Sequence, residues 1–564
     1  MNELAQFRIL SRDSIRKLLN SAVLTRDGDP VQFALWTTVI VATPPAMFAF
    51  GQPFKYARLA LFAPEVIQAT VLRDRMFFTV YSMLAMALLA ALTWEALFPD
   101  RTDQEIMGPL PVRPRTVAAA RLTASVGMAV AFAFALNVPT AVFFSFAATT
   151  HPVLGFLPTV LAAHVFSTVA ACLFVFLVLL VARGTVAIVL GADAADSLAT
   201  VVQLVAVIAL IEVFFYLPTV LPILSARLLA GPDATLWMPP AWFVALYSWL
   251  VGPSPAGFGV QALRGVSLLA AAILIVVPLY LLSAPVMARR ALESLSKQRP
   301  GPLARAVRSA GRLAPHPVTR AVAEFTITTL WRNRRHLVIV VSYAGAGIAI
   351  AAISVIAARL RAGLLSAELT TSLLAVPLVI MFFLALGLRA AFRAPCELEA
   401  NWPFRLWPPS TRQAAAGTEL AMFVLAIVPV TALFAVTMLV AGRGGWDAAR
   451  LLMFNLASGW LLLEAVLHGW ARVPFACAHV PDQEGLKSRW LLYLIPLNIF
   501  AFRGADAQLA GLGSARAGGI YLGIMLAIAL GLRALRVARA RREPIDFEGP
   551  PHTQFEVLNL SEAL

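Results

Sequence analysis

Long apolar runs separated by short polar stretches set the pattern of this chain. In the first half they lie near 31–50, 76–94, 118–147, 152–182, 198–221 and 264–287. In the second half they lie near 337–357, 372–392, 417–441, 448–470, 489–504 and 517–537. A helix needs about 20 apolar residues to cross the hydrocarbon core, and most of these runs reach that length. The pattern predicts an all-α polytopic membrane protein with about 12 transmembrane helices in two halves of about six each. The run at 489–504 is short, so eleven crossings and one re-entrant piece are an alternative. Leu217 to Gly257 is rich in proline and aromatic residues, and its later part is too interrupted to span. It predicts an outer re-entrant or interfacial hairpin, with tryptophans at the interface and backbone packed on protein.

Charge then orients the runs. Ala288 to His336 carries eleven Lys/Arg against two Glu, the strongest cytoplasmic signal in the chain. Arg533, Arg536, Arg539, Arg541 and Arg542 mark another inner end after the last run. Both termini and the middle are therefore expected at the cytoplasmic face of a plasma (inner) membrane. The loop 51–75 falls outside in this scheme and fits it poorly, because it holds Lys55, Arg58, Arg73 and Arg75. Within residues 1–30, Leu4, Phe7, Ile15 and Leu18 can share one helical face flanked by Arg8, Arg12, Arg16 and Lys17. That reads as an interfacial amphipathic helix, or as a solvated basic leader. The expected organisation is this segment, a first six-span unit at 31–287, a basic linker at 288–336, a second unit at 337–542 and an acidic tail at 543–564.

Composition narrows the function classes. Of 564 residues, 60% are hydrophobic and only 13% are charged, with a mean hydropathy of +0.79. The net charge of +15 lies beside the apolar runs rather than on a soluble surface, which argues against nucleic acid as a partner. Cys172, Cys396 and Cys477 are far apart and form no CxxC, so neither a disulfide framework nor a zinc ribbon is expected.

The two halves resemble each other. After its second run the first half reads "FPDRTDQEIMGPLPVRPRT"; after its second run the second half reads "FRAPCELEANWPFRLWPPST". Setting Phe98 on Phe392 also sets Glu105 on Glu399 and Pro109 on Pro403. One inserted residue then sets Pro114 on Pro409 and Thr116 on Thr411. The following runs each hold an internal proline, Pro139 and Pro429. The matches predict a parallel duplication whose pseudo-two-fold lies along the membrane normal. Physically, Asp100 to Glu105 can begin a helix, with acids favoured in its first turn. Pro109, Pro111 and Pro114 then stop and redirect the chain. Such a short stiff element, present twice, suits a symmetric cytoplasmic partner.

An acidic turn followed by "LP" and a small-residue-rich third span resembles the permease subunits of ABC-2 class ATP-binding-cassette exporters. In that family the stretch between spans two and three forms a coupling helix docked on the ATPase. The resemblance implies ATPase coupling through Asp100, Arg101, Asp103, Glu105, Pro109, Leu110, Pro111, Arg113 and Pro114 in the first copy. In the second copy it implies Glu397, Glu399, Trp402, Phe404 and Arg405. The second copy departs from the pattern by reading "NWPFRL" in place of "LP". The family unit usually dimerises; here two units would be fused, giving one chain per transporter. No G-x-x-x-x-G-K-[ST] occurs, so the chain is not expected to be an enzyme. ATP and magnesium would be bound by a separate cytoplasmic ABC ATPase dimer, driving a lipid-like, peptide or drug-like substrate outward.

Ionisable and polar groups inside apolar runs are costly and are functional candidates. They are Asn137, His164, Glu212, Glu464 and His468, the last two at i, i+4 on one helical face. They read either as a polar path or proton relay or as interhelical hydrogen bonding. Glu464, His468, Cys477 and His479 have metal-ligand chemistry but no closed spacing motif, so no metal is expected. The alternative functions are a secondary proton-coupled transporter working through Glu212 or Glu464, and a non-transporting membrane scaffold or enzyme.

Overall fold

The computed structural model describes residues 3–19, 30–59, 62, 64–93, 112–150, 155–189, 192–230, 235–252, 254–293, 316–362, 370–394, 396, 401–477, 495–540, 545 and 547. Every regular element among them is a helix, and the chain divides into two compact units, Met1–Gln298 and Arg299–Leu564. Unit 1 holds α1 (Glu3–Leu19), α2 (Pro30–Phe50), α3 (Gln52–Leu59), α4 (Pro64–Leu92), α5 (Pro114–Ser145), α6 (Leu157–Val189), α7 (Ala192–Leu229), α8 (Pro239–Val251) and α9 (Phe258–Glu293). Unit 2 holds α10 (Pro317–Arg332), α11 (Arg334–Ala362), α12 (Thr371–Arg393), α13 (Trp402–Leu406), α14 (Thr411–Met422), α15 (Val428–Val440), α16 (Gly445–Val466), α17 (Gly504–Gly513) and α18 (Ala515–Ala540).

Ten helical stretches among the described residues are long and apolar enough to cross a membrane: α4, α5, α6, α7, α9, α11, α12, α14 with α15, α16 and α18. The chain is an all-α polytopic membrane protein. Ten of the apolar runs in the sequence fall on these helices. The first run forms α2, a 21-residue helix that continues through Pro44 and Pro45. The short run at 489–504 is described from residue 495, where a helix enters a wide π turn at Ile499–Arg503 and continues as α17.

Helix starts follow local chemistry. Pro114 opens α5, where its fixed φ suits the helix and its missing N–H costs nothing. Ser410 and Gln413 close a capping box on α14, satisfying two otherwise orphaned donors. Thr370 caps α12 through the backbone N–H of Leu373. One expectation changes. Of the predicted hairpin at 217–257, the first part is no hairpin: α7 runs through Pro218 and Pro222 to Leu229. Membrane helices tolerate such prolines because neighbouring groups re-satisfy the freed backbone. Only α8 is separate. Its 13 residues are too few to span, and Ala241 to Ser248 are all buried.

Each unit is organised around one central helix. In unit 1, α6 packs on α4, α5, α8 and α9, and α1 lies on α5. The core of that contact includes Cys172, Phe176, Leu177 and Leu180. In unit 2, α16 packs on α12, α15 and α18, while α10 lies on α14. Outward faces remain apolar, as lipid requires: Val205 and Ile223 on α7 and Leu263 and Leu274 on α9 are exposed. The predicted amphipathic face of α1 is split. Leu18 is buried against the unit, whereas Leu4 and Ile15 are exposed.

Pro429 shapes the third span of unit 2. A proline inside a helix lacks a donor and clashes with the carbonyl four residues back. The π turn at Phe423–Ile427 lies immediately before it and supplies the room. Ile427 then presses on α16 where only a glycine fits. A Cβ on Gly459 would lie 2.5 Å from the Ile427 side chain. Gly459→Ala is expected to destabilise the protein by about 1–3 kcal/mol through overpacking, as measured by thermal unfolding in detergent.

Candidate functional site

The segment after α12 is fastened at one end of unit 2 by backbone and side-chain hydrogen bonds. The Phe475 N–H donates to the Phe392 carbonyl (3.0 Å), and the Cys396 N–H donates to the Phe475 carbonyl (3.1 Å). Asn401 Nδ2 donates to the Ala476 carbonyl at 2.9 Å. From the start of α11, His336 Nε2 lies 2.9 Å from the Ala394 carbonyl. Just before α11, Asn333 Nδ2 donates to Cys396 Sγ at 3.2 Å. Phe475 sits at φ 63°, a left-handed conformation costly for a bulky residue. Edge-on ring contacts to His336 (4.8 Å) and Phe392 (5.3 Å) help to hold it there.

On this base stands α13, a five-residue turn of helix. Phe404 faces inward, packed on Phe325 of α10 at 5.0 Å and stacked on Phe547 at 6.5 Å. Trp402, Arg405 and Leu406, at i, i+3 and i+4, share the opposite face and are exposed. Trp407 follows them and is 80% exposed. The second-copy residues thus separate into an anchor, Phe404, and a presented surface, Trp402 and Arg405. Leu406 and Trp407 belong to that surface as well, and the sequence comparison of the two loops did not single them out. Glu397 and Glu399 lie outside the described residues, as do Asp100, Arg101, Asp103, Glu105, Pro109, Leu110 and Pro111 of the first copy. Of that copy, Arg113 is described just before α5. It is exposed and forms an ion pair with Glu3 of α1. Pro114 is the first residue of α5.

Unit 1 carries a chain of polar groups between α3, α4, α5, α6 and α8. Lys55 Nζ pairs with Asp74 at 2.5 Å, and the Tyr56 hydroxyl donates to the same carboxylate at 2.6 Å. Burial, reinforced by Asp74, pushes the Tyr56 phenol well above its ordinary value. Arg75 is buried, donates to Ser248 Oγ at 3.1 Å and lies 4.5 Å above the Tyr247 ring. Two of the four cations that fitted the outer loop poorly are therefore absorbed inside the unit, Lys55 by a carboxylate and Arg75 by an aromatic face. His164 sits edge-on to Tyr247 at 5.5 Å, its Nε2 3.2 Å from Thr140 Oγ1. The Thr140 hydroxyl donates to the Asn137 carbonyl, so the proton between Thr140 and His164 belongs to the imidazole. Asn137 lies 2.6 Å from Ser82 Oγ and donates to the Ala133 carbonyl. His164 and Asn137 are thus joined to neighbouring helices by hydrogen bonds. Such bonds average about 0.6 kcal/mol in membrane helices. Ser82→Ala is accordingly expected to cost less than ~1.5 kcal/mol, read from the unfolding midpoint.

In unit 2, Glu464 of α16 is fully buried and meets Arg536 of α18, whose Nε is 2.9 Å from Oε2. Glu419 of α14 joins both arginines of the cluster, pairing with Arg533 at 2.9 Å and with Arg536. Trp460 Nε1 donates to Glu419 at 3.2 Å. His468 does not share a helical face with Glu464, because α16 ends at Val466 and its last turn unwinds. It is exposed and lies 3.2 Å from Arg539. Glu419 was the member hardest to find from sequence, since it sits near the polar start of its run. The visible signal was Arg533 and Arg536 at i, i+3, aimed at two acids in apolar helices. Glu212, on α7, has a carboxylate oxygen without a hydrogen-bond partner and forms no ion pair among the described residues. No group of three or more metal-ligand side chains occurs among the described residues; His479 lies outside them. Cys477 is buried with Ala414, Val473 and Ala476.

No known protein family, curated protein or solved structure matches this chain.

Proposed function

We propose that this protein is the membrane subunit of an ABC-2-like exporter, with two permease units fused in one chain and a separate cytoplasmic ATPase dimer as its motor. The observation that carries the reading is the fastened turn at α13. It is an exposed Trp402–Arg405–Leu406–Trp407 surface on a base tied to α10, α11, α12 and the segment that follows α16. Aromatic residues and arginine are the types most enriched at protein interfaces. A rigid base is what a docked partner needs in order to move helices rather than bend a loop. The similar packing scheme of the two units supports duplication. In each, an amphipathic helix lies on the third span, and the fourth span touches the second, third and sixth. The copies differ in their first span, which packs on the third span in unit 1 and on the second in unit 2. In this reading the α13 end faces the cytoplasm, with ATP and magnesium held by the partner, and the chain itself is not an enzyme.

Co-expression with ABC ATPases and purification through this chain tests the proposal. A stable complex whose ATP hydrolysis rises on reconstitution is the expected result. No association with any ATPase would overturn the reading in favour of proton-coupled transport. For that alternative Glu212 is the better remaining candidate, because Glu464 is tied to Arg536 and Arg533.

A further inference from the structure

Arg75 of α4 is a cation inside a candidate span. It stands ten residues into the stretch Glu65–Leu92. That is about 15 Å along the helix, half the depth of a ~30 Å hydrocarbon core. Arg75 is only 7% exposed. It forms no ion pair among the described residues, because Asp74, its neighbour in sequence, is turned to Lys55 and Tyr56. Two contacts hold the guanidinium: Nη1 donates to Ser248 Oγ, and the Tyr247 ring lies beneath its central carbon. The ring attracts the charge but leaves the Nε–H unsatisfied, and the Tyr247 hydroxyl is likewise without a hydrogen-bond partner. Tyr247 is fully buried. Two buried donors and one positive charge therefore meet where α8 packs on α4.

The third side is α6. His164 stands edge-on to Tyr247, and Phe78 and Phe144 pack on His164 at 5.1 and 5.7 Å. Its Nδ1 also lacks a partner. With the ring proton on Nε2, Nδ1 presents a lone pair, so His164 is a wall here and no ligand for an anion.

We propose that the Arg75 Nε–H and the Tyr247 hydroxyl bind a small monovalent anion, chloride, between α4, α6 and α8. A buried guanidinium without a counter-charge is strongly unfavourable, and a bound anion offsets that cost. An ionisable group at this depth is a functional group by default. Charge selects the ion further. One negative charge balances one guanidinium, whereas a divalent oxyanion would leave an excess charge among the same aromatic walls. The bound ion joins α8, too short to span, to the two spans it packs on. The proposal concerns unit 1, rests on the membrane placement of α4, and stands or falls apart from ATPase coupling.

The test is thermal unfolding of the full-length protein in a non-ionic detergent, with sodium gluconate replaced stepwise by sodium chloride at constant ionic strength. A saturable rise in the midpoint of roughly 3 °C is expected once chloride reaches about ten times its dissociation constant. Bromide should act like chloride, and sulfate should give no saturable rise. Arg75→Gln keeps N–H donors and removes the charge, so it should abolish the chloride-dependent rise. Tyr247→Phe keeps the ring under Arg75 and loses one donor. It should raise the half-maximal chloride concentration about tenfold, the size of one hydrogen bond to a charged group. No rise with chloride would overturn the proposal, as would an equal rise with sulfate or a rise that persists in Arg75→Gln. If Arg75→Gln fails to fold, Tyr247→Phe decides the matter: an unchanged half-maximal concentration overturns the proposal.

Discussion

Glu464→Ala is expected to lower the stability of the protein by about 3–5 kcal/mol, the cost of leaving a buried charge without its partner. The estimate follows from burial: Glu464 is 0% and Arg536 is 6% exposed. Arg533, at 42% exposure, adds little because water screens it. The companion result is more telling. Glu464→Leu combined with Arg536→Met removes both charges and keeps the volume, so it should recover most of the loss, ending within ~1.5 kcal/mol of the unaltered chain. Glu419 keeps Arg533 in that double variant. Unfolding midpoints of the unaltered chain, Glu464→Leu, Arg536→Met and the double variant, taken in one detergent, form the cycle. Equal loss in the single and double variants would mean that the ion pair itself, rather than the uncompensated charge, holds α16 and α18 together.

The second large effect concerns the α13 surface. If the proposed ATPase docks on α13, Trp402→Ala and Arg405→Glu should each weaken that association by about 2 kcal/mol or more, roughly 30-fold, with little change in unfolding temperature, because both side chains are exposed. Phe404→Ala should do the reverse in kind. It empties the contact with Phe325 and Phe547, loosens the base and costs about 3 kcal/mol of stability before any effect on docking is read. Co-purification and differential scanning of the three variants separate the two roles. Docking that survives Trp402→Ala with Arg405→Glu would remove α13 from the interface.

The helices were legible because length and hydropathy are local properties, and a bilayer rewards them directly. Ten apolar runs map onto ten candidate spans for that reason. What the sequence hid was what depends on partners. Pro218 and Pro222 read as breakers, yet α7 absorbs them, because the membrane gives freed carbonyls no better option than the helix. Lys55 and Arg75 read as misplaced loop charges, since nothing local shows that Asp74 and Tyr247 receive them. Phe404, Trp402 and Arg405 read alike as loop residues; only the packing of α10 and Phe547 shows which one turns inward. Glu464 and His468 matched a helical spacing that ends two residues too early.

The Gly511–Gly518 contact has a mechanical consequence. Gly511 of α17 and Gly518 of α18 bring the two backbones together beside the Phe454 ring, a close contact about which α18 would pivot if it tilted. Arg536 lies eighteen residues further along α18, a lever arm of about 27 Å. A tilt of roughly 10° at the glycines would sweep that end through about 5 Å, nearly one helical turn. The arm is latched at its tip, where Glu419 and Glu464 grip Arg536. A small rotation at one face of unit 2 would therefore strain ion pairs at the other.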